Sequence, residues 1–177
     1  MRITVFGGSA PKPGEPVYQE AYELGKLIAS AGHVVLTGGY IGTMEAVSRG
    51  ASENGGHVIG VTCAQIEAWR PVSPNKWVAE ELRFETLKER IFGLIDNCDT
   101  AIALPGGPGT LTEISMMWNQ MQTASVPIRP LTLIGEGWRQ TFISFYKYLG
   151  IYTNHDTRHL LQFVPDVQTA FKLISGG

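Results

Sequence analysis

Short apolar runs that end near glycine and are followed by amphipathic helices recur along this chain. Five such runs predict buried strands, over residues 3–6, 33–36, 58–61, 100–104 and 131–134. Runs that are apolar throughout, with no alternating polar positions, are typical of parallel strands covered on both faces. Because these strands alternate with helices, the sequence predicts an α/β fold, a doubly wound parallel sheet.

Helical periodicity fills the intervals between the strands. Apolar residues that recur three or four positions apart predict helices over 17–31, 44–54, 87–97, 111–121, 138–149 and 166–174. The Thr86-x-x-Glu89 spacing predicts a capping box at the start of the third helix. Residues 62–81 include Pro71 and Pro74 and are predicted as a loop, placed to cover a site.

Length and charge narrow the class of protein. The 177 residues predict a single domain, 1–177, with a substantial core. A net charge of −2 without a run of like charges predicts no nucleic-acid partner and no membrane partner. No apolar stretch approaches the ~18 residues of a spanning helix, and no signal peptide is recognised. Cys63 and Cys98 do not resemble a disulfide framework. We therefore expect a cytoplasmic protein.

Three of the predicted strands end in glycine-rich turns, at 7–8, 38–42 and 106–109. Ligands of open α/β sheets bind outside the carboxyl ends of the strands. Glycine lets the backbone approach an anion closely, and a helix N-terminus adds partial positive charge. For the first turn a purely structural role is an equal alternative. The candidate ligand-binding residues are Gly8, Ser9, Gly38, Gly39, Gly42, Thr43, Pro105, Gly106, Gly107, Gly109 and Thr110.

The spacing of these glycines argues against two common cofactor sites. The first strand is not followed by Gly-x-Gly-x-x-Gly, the dinucleotide fingerprint, and no lysine follows the last glycine as in a Walker loop. NAD binding and ATP hydrolysis are therefore disfavoured. No cluster of cysteine, histidine and carboxylate residues predicts a metal site.

One charged residue, Glu113, is a candidate for catalysis from its position alone. Glu113 follows the third glycine turn, where a carboxylate beside a bound phosphate would act on a nucleotide or sugar phosphate. Thr110-x-x-Glu113 is also a capping-box spacing, so capping is an equal alternative for Glu113. Arg90 lies beside the apolar stripe of its helix, and the pattern alone predicts that it is exposed to solvent. Trp118 and Met121 are predicted as core or subunit contacts.

The chain resembles the Lonely Guy (LOG) family, many of whose members formerly carried a lysine decarboxylase label. The family signature, Pro-Gly-Gly-x-Gly-Thr-x-x-Glu, is unbroken from Pro105 to Glu113. The upstream Gly-Gly-x-x-Gly-x-Met pattern is matched from Gly38 to Met44. The family arginine, fifteen residues before the signature proline, falls on Arg90.

This resemblance implies a Rossmann-like fold and a homodimer, or a higher homo-oligomer, with sites near the subunit interface. It implies hydrolysis of the N-glycosidic bond of a nucleoside 5′-monophosphate, AMP or a cytokinin nucleotide, to free base and ribose 5-phosphate. Arg90 and Glu113 would be the catalytic pair, and the third glycine turn the phosphate cradle. This chemistry needs no cofactor.

One position departs from the family pattern. The family has Arg-Lys in the helix before the signature, whereas here Arg90 is followed by Ile91. The missing lysine removes a cation from the neighbourhood of the site. Molybdenum-cofactor carrier proteins of the same superfamily resemble this chain in fold and glycine loops but bind without catalysis. A non-catalytic carrier of a nucleotide or of the molybdenum cofactor is therefore the alternative function.

Overall fold

The computed structural model describes residues 1–176, and its centre is a parallel sheet of seven strands. The spatial order of the strands is β4-β3-β2-β1-β5-β6-β7, and every neighbouring pair is parallel. The strands are β1 (Arg2–Phe6), β2 (Val34–Thr37), β3 (Val58–Cys63), β4 (Glu80–Phe84), β5 (Thr100–Ala103), β6 (Leu131–Ile134) and β7 (Leu161–Val164). The chain builds one half of the sheet outward from β1 and then the other, which confirms the predicted doubly wound α/β fold.

Seven α-helices accompany the strands. They are α1 (Pro16–Ser30), α2 (Thr43–Glu53), α3 (Ala64–Trp69), α4 (Leu87–Asp96), α5 (Pro108–Gln122), α6 (Glu136–Leu149) and α7 (Val167–Ile174), with short 3₁₀ helices at Gly150–Tyr152 and His155–Leu160. The predicted capping box of Thr86 and Glu89 is present at the start of α4. Among residues 1–176 there is no helix long and apolar enough to span a membrane.

Two apolar clusters pack on the two faces of the sheet. Helices α1, α2 and α7 cover one cluster, which contains Leu24, Val47 and Ala170. Helices α4, α5 and α6 cover the other, where the predicted core residues Trp118 and Met121 are buried. Burial of both faces explains why the central strands are apolar throughout.

The sequence prediction missed two strands, and both lie at the edges of the sheet. Strand β4 is mostly polar and partly exposed because only one side of it pairs with a neighbour. Strand β7 follows a 3₁₀ helix at the opposite edge. The predicted loop over 62–81 is also partly wrong, because its first part completes β3 and forms α3. Edge strands lack the continuous apolar signal that made the central strands recognisable.

Candidate functional site

The three glycine turns meet at one edge of the sheet because they follow adjacent strands. β1 lies between β2 and β5, and the chain leaves it in opposite directions on the two sides, so ligands are expected at this point. The first turn forms hydrogen bonds to each of the other two. The Gly8 N–H donates to the Pro105 carbonyl (3.3 Å), and the Thr43 N–H and hydroxyl both donate to the Gly8 carbonyl (2.9 and 3.0 Å).

A cleft of about 400 Å³ opens at this meeting point. Both candidate catalytic residues line it, together with five of the predicted binding residues: Gly8, Ser9, Gly107, Gly109 and Thr110. The structure therefore brings the acid, the arginine and the start of α5 into one cavity.

The other predicted binding residues lie behind the cleft and hold its loops together. A Cβ atom at Gly38 would collide with the Arg90 guanidinium, and one at Gly106 would collide with the Thr110 side chain. Gly42 has φ of +77°, and a Cβ there would meet the backbone of Gly8 and Ser9 at 2.5–2.6 Å. These glycines are required by close packing of one loop on another. Gly39, Thr43 and Pro105 likewise do not line the cleft.

The N-terminus of α5 supplies free backbone donors to the cleft. Gly107 is its N-cap residue and no side chain caps this end. A Cβ atom built at Gly107 or Gly109 would meet nothing within 4 Å. The first N–H groups of a helix have no intrahelical partner, and the helix dipole concentrates positive charge there. This end of α5 is suited to bind an anion such as phosphate.

Arg90 is buried and held in place by backbone carbonyls. Its Nε donates to the Val61 carbonyl (2.8 Å), and its Nη2 donates to the Gly38 carbonyl (3.2 Å). Its guanidinium carbon also lies 5.7 Å from the centre of the Tyr40 ring. The prediction that Arg90 is exposed is wrong, because the long side chain reaches from α4 to a carbonyl within β3 and to another in the turn after β2. Its Nη2 also lies 3.9 Å from the Met44 sulfur, and its Nη1 is directed at Glu113.

Glu113 lies opposite Arg90 and is also buried. Its Oε1 is 3.7 Å from Arg90 Nη1, a separation that allows electrostatic attraction but is too long for a strong hydrogen bond. Burial raises the pKa of Glu113 from 4.5 to about 7, and the Arg90 charge offsets only part of this effect. An acid with this pKa can exchange a proton near neutral pH, as general catalysis requires.

The capping alternative for Glu113 is wrong. Helix α5 begins at Pro108, so Thr110 lies inside its first turn and no side chain accepts a capping hydrogen bond at this terminus. Proline is favoured at the first helical position, where its missing N–H costs nothing. The carboxylate of Glu113 is therefore free to face the cleft.

Sequence analysis missed part of the cleft wall: Tyr40, Met44, Ile66, Trp69, Arg70 and Leu87. The Tyr40 hydroxyl accepts a hydrogen bond from the Cys63 N–H (2.9 Å) and lies 3.2 Å from Glu67, which fixes the ring beside Arg90. Ile66 and Trp69 are three positions apart in α3, a helical spacing that the neighbouring prolines obscured.

Ile91 does not line the cleft. It is half-buried and packs against the apolar cluster under α4 and α5. Successive helical residues project about 100° apart, so position 91 lies on a different face of α4 from Arg90. No group of three metal-ligating side chains occurs within residues 1–176.

Known proteins and a family model are similar to this chain in sequence. The sequence model of the SLOG cluster4 family matches residues 1–127. The chain is 33% identical over 156 residues to the probable cytokinin riboside 5′-monophosphate phosphoribohydrolase LOGL5 of Oryza sativa subsp. japonica, covering 81% of this chain and 58% of the relative. It is 36% identical over 148 residues to the cytokinin riboside 5′-monophosphate phosphoribohydrolase LOG of the same plant, covering 81% and 59%. The chain thus spans less than two thirds of these relatives.

A solved structure with the same fold is the molybdenum cofactor binding protein of Rippkaea orientalis. Its TM-score is 0.77 at 23% identity, over 99% of this chain and 95% of that one. At this identity the likeness shows the Rossmann-like fold alone. The match over residues 1–127, the relatives above 30% identity and the intact signature around the cleft together assign this chain to the LOG family.

Proposed function

We propose that this protein hydrolyses the N-glycosidic bond of a nucleoside 5′-monophosphate, releasing the free base and ribose 5-phosphate. One observation carries the proposal. A buried carboxyl group, Glu113, with a pKa of about 7, shares a cleft with the uncapped N-terminus of α5 and faces Arg90 at 3.7 Å. Relatives of the chain are named for this reaction on cytokinin riboside 5′-monophosphates.

The start of α5 would hold the substrate phosphate. Backbone N–H groups of Gly107, Gly109 and Thr110 would donate to its oxygens, and Gly8 and Ser9 would close the other side of the cradle. The glycines behind the cleft would keep these loops in place. Binding energy from the phosphate then positions the ribose against the paired side chains of Arg90 and Glu113.

Glu113 and Arg90 would act on the bond between C1′ and the base nitrogen. Breaking this bond builds positive charge on the ribose, as in glycoside hydrolysis. The ionised Glu113 carboxylate would stabilise that charge and accept a proton from the attacking water. The water oxygen bonds to C1′, the C1′–N bond breaks, the leaving base nitrogen takes a proton from solvent, and Glu113 returns its proton to solvent. Arg90 would orient the carboxylate and a ribose hydroxyl by charge-assisted contacts.

We also propose that the protein forms a homodimer through an exposed apolar face on α5 and α6. Large side chains stand exposed on α6 and on the 3₁₀ helix that follows it, among them Ile143, Tyr148, Ile151 and Tyr152. Tyr152 also lines a groove of about 450 Å³, together with Leu111, Trp118 and Phe145. Contiguous apolar patches of this kind mark protein interfaces. Leu111 directly follows Thr110, so a second copy seated here would border the cleft.

The experiment is incubation of the purified protein with a panel of nucleoside 5′-monophosphates, including AMP and an N6-isopentenyl AMP. We expect equal amounts of free base and ribose 5-phosphate from at least one nucleotide. Ile91 in place of the family lysine favours one competing result, a carrier that does not catalyse. Absence of turnover together with a pterin that co-purifies with the protein would establish the carrier function and reject the hydrolase.

A further inference from the structure

Two residues of the cleft wall, Trp69 and Arg70, have no part in the proposed reaction. They lie at the end of α3, which follows β3, and β3 is two strands away from β1 in the sheet. Neighbouring strands are about 4.8 Å apart. This wall is therefore roughly 10 Å from the strand that leads into the glycine loops. A nucleotide anchored by its phosphate at α5 would extend its base toward this wall.

Trp69 offers a flat apolar surface at this end of the cleft. Its side chain is 78% exposed, which is unusual for tryptophan. Ile66 and Leu87 line the same part of the cleft. Aromatic platforms next to aliphatic side chains bind the faces of nucleobases by stacking. This part of the cleft therefore offers a surface on which a planar nucleobase can stack.

Arg70 adds side-chain hydrogen-bond donors that have no partner among residues 1–176. Its Nε is buried and has no hydrogen-bond partner among residues 1–176. In the same part of the chain no carboxylate lies within 4.0 Å of its guanidinium, whereas the nearby Arg83 pairs with Glu67 at 2.6 Å. The Arg70 guanidinium carbon lies 5.7 Å from the Trp69 ring centre. Since Arg70 lines the cleft, the terminal N–H groups of its guanidinium can donate to an acceptor on a ligand.

We propose that Trp69 and Arg70 form the base subsite of the cleft, and that this subsite prefers guanine or hypoxanthine to adenine. The inference rests on the proposed function. The fork of an arginine guanidinium matches the two adjacent acceptors of a 6-oxopurine, O6 and N7. Adenine presents an amino group at position 6, which would place one donor against another. A 6-oxopurine can therefore accept two hydrogen bonds from Arg70, whereas adenine can accept only one.

The test measures binding rather than turnover. Dissociation constants for IMP, GMP and AMP are obtained by calorimetry on protein carrying Glu113→Gln, so that the nucleotides survive. We expect IMP and GMP to bind about tenfold tighter than AMP, since a bidentate arginine contact discriminates between bases by about this factor or more. In the Arg70→Met variant of this protein, the ratio of AMP to IMP dissociation constants should fall to about one.

Three further variants distinguish a specific loss of base recognition from general effects of substitution. Arg49→Met is the matched control, because Arg49 also lies over a tryptophan ring, Trp77 at 5.5 Å, but outside the cleft; it should retain the tenfold ratio. Arg70→Lys keeps the charge without the fork and should also lose the ratio. Trp69→Ala should weaken IMP and AMP alike, by about tenfold, because stacking tolerates any base.

Equal affinity of the Glu113→Gln protein for AMP and IMP would overturn the inference. A ratio of AMP to IMP dissociation constants that stays near ten in both Arg70→Met and Arg70→Lys would also overturn it. These results are distinct from failure of the proposed function. If the wild-type protein cleaves AMP and IMP with equal efficiency, only the base preference is rejected. If it neither binds nor cleaves any nucleotide, the proposed function fails and the base subsite with it.

Discussion

Glu113 is the residue whose surroundings decide what the cleft can do. Two effects act on its carboxyl group in opposite directions, burial and the charge of Arg90. Burial prevails because the two side chains are 3.7 Å apart and the carboxylate accepts no hydrogen bond within residues 1–176 that would favour ionisation. The protein therefore holds a carboxyl group that is half ionised near pH 7 in the absence of ligand.

This raised pKa predicts how the stability of the ligand-free protein depends on pH. Between pH 4.5 and about 7 the unfolded chain loses the Glu113 proton while the folded protein keeps it. The free energy of unfolding should therefore fall as pH rises through this range, by on the order of 3 kcal/mol in total. Urea denaturation of the wild type and of Glu113→Gln at a series of pH values measures the difference, which should grow in favour of the variant toward pH 7. A difference that does not change with pH would contradict the burial argument.

Some features of these residues could be predicted from the sequence and others could not. The family resemblance led to both Glu113 and Arg90, and both line the cleft. Their burial could not be predicted from the sequence. The pattern of α4 does not reveal that the carbonyl groups of Val61 and Gly38 accept hydrogen bonds from the Arg90 side chain. Arg70 was missed because its unused donors become apparent only when the surrounding atoms are known.

At the scale of elements, the glycine turns divide into two classes that the sequence cannot distinguish. Gly107 and Gly109 face open space at the start of α5, whereas Gly42 is compressed against the loop after β1. The distinction depends on which loops pack together, and this is set by the strand order. Central strands and their helices were predictable from apolar runs, but the edge strands β4 and β7 were not.

Alanine substitutions should separate these two classes of glycine. Gly42→Ala combines positive φ with a collision against Gly8 and Ser9, and should destabilise the fold by at least about 2 kcal/mol. Gly109→Ala lies in the first turn of a helix, where alanine is favoured, and should leave stability unchanged or raise it by about 0.5 kcal/mol. Its added methyl group should nevertheless weaken phosphate binding.

Thermal unfolding and nucleotide titration of both variants check this prediction. Gly109→Ala protein with full stability and reduced affinity for AMP or IMP would support the phosphate cradle at α5. If Gly109→Ala binds nucleotides as tightly as the wild type, the phosphate does not lie against this turn.

At the scale of the whole molecule, the two faces of the sheet are unequally covered. Helices α1, α2 and α7 pack closely over one face. On the other face, α6 and the 3₁₀ helix after it carry the exposed side chains Tyr148, Ile151 and Tyr152. Since the third glycine turn and both catalytic candidates line one cleft within a single chain, a second copy is not needed to bring them together.

Ile151→Asp should separate the proposed dimer into monomers. Ile151 is 86% exposed in the apolar face, so a carboxylate there costs the isolated chain little but would be buried in a dimer. Leu173→Asp is the control, since Leu173 is 49% exposed on α7, at the opposite face of the sheet. Sedimentation velocity should give a dimer for the wild type and Leu173→Asp and a monomer for Ile151→Asp. A wild type that sediments as a monomer at micromolar concentration would contradict the dimer.

The most direct measurement of the central claim compares binding and turnover in Glu113→Gln. This variant keeps the size of the side chain and the phosphate cradle but removes the ionisable group. For the nucleotide that the wild type cleaves best, we expect affinity within about threefold of the wild-type value, and release of ribose 5-phosphate reduced by roughly 10³-fold. Release at the wild-type rate would show that Glu113 takes no part in the reaction. It would contradict the proposed mechanism of hydrolysis in this cleft.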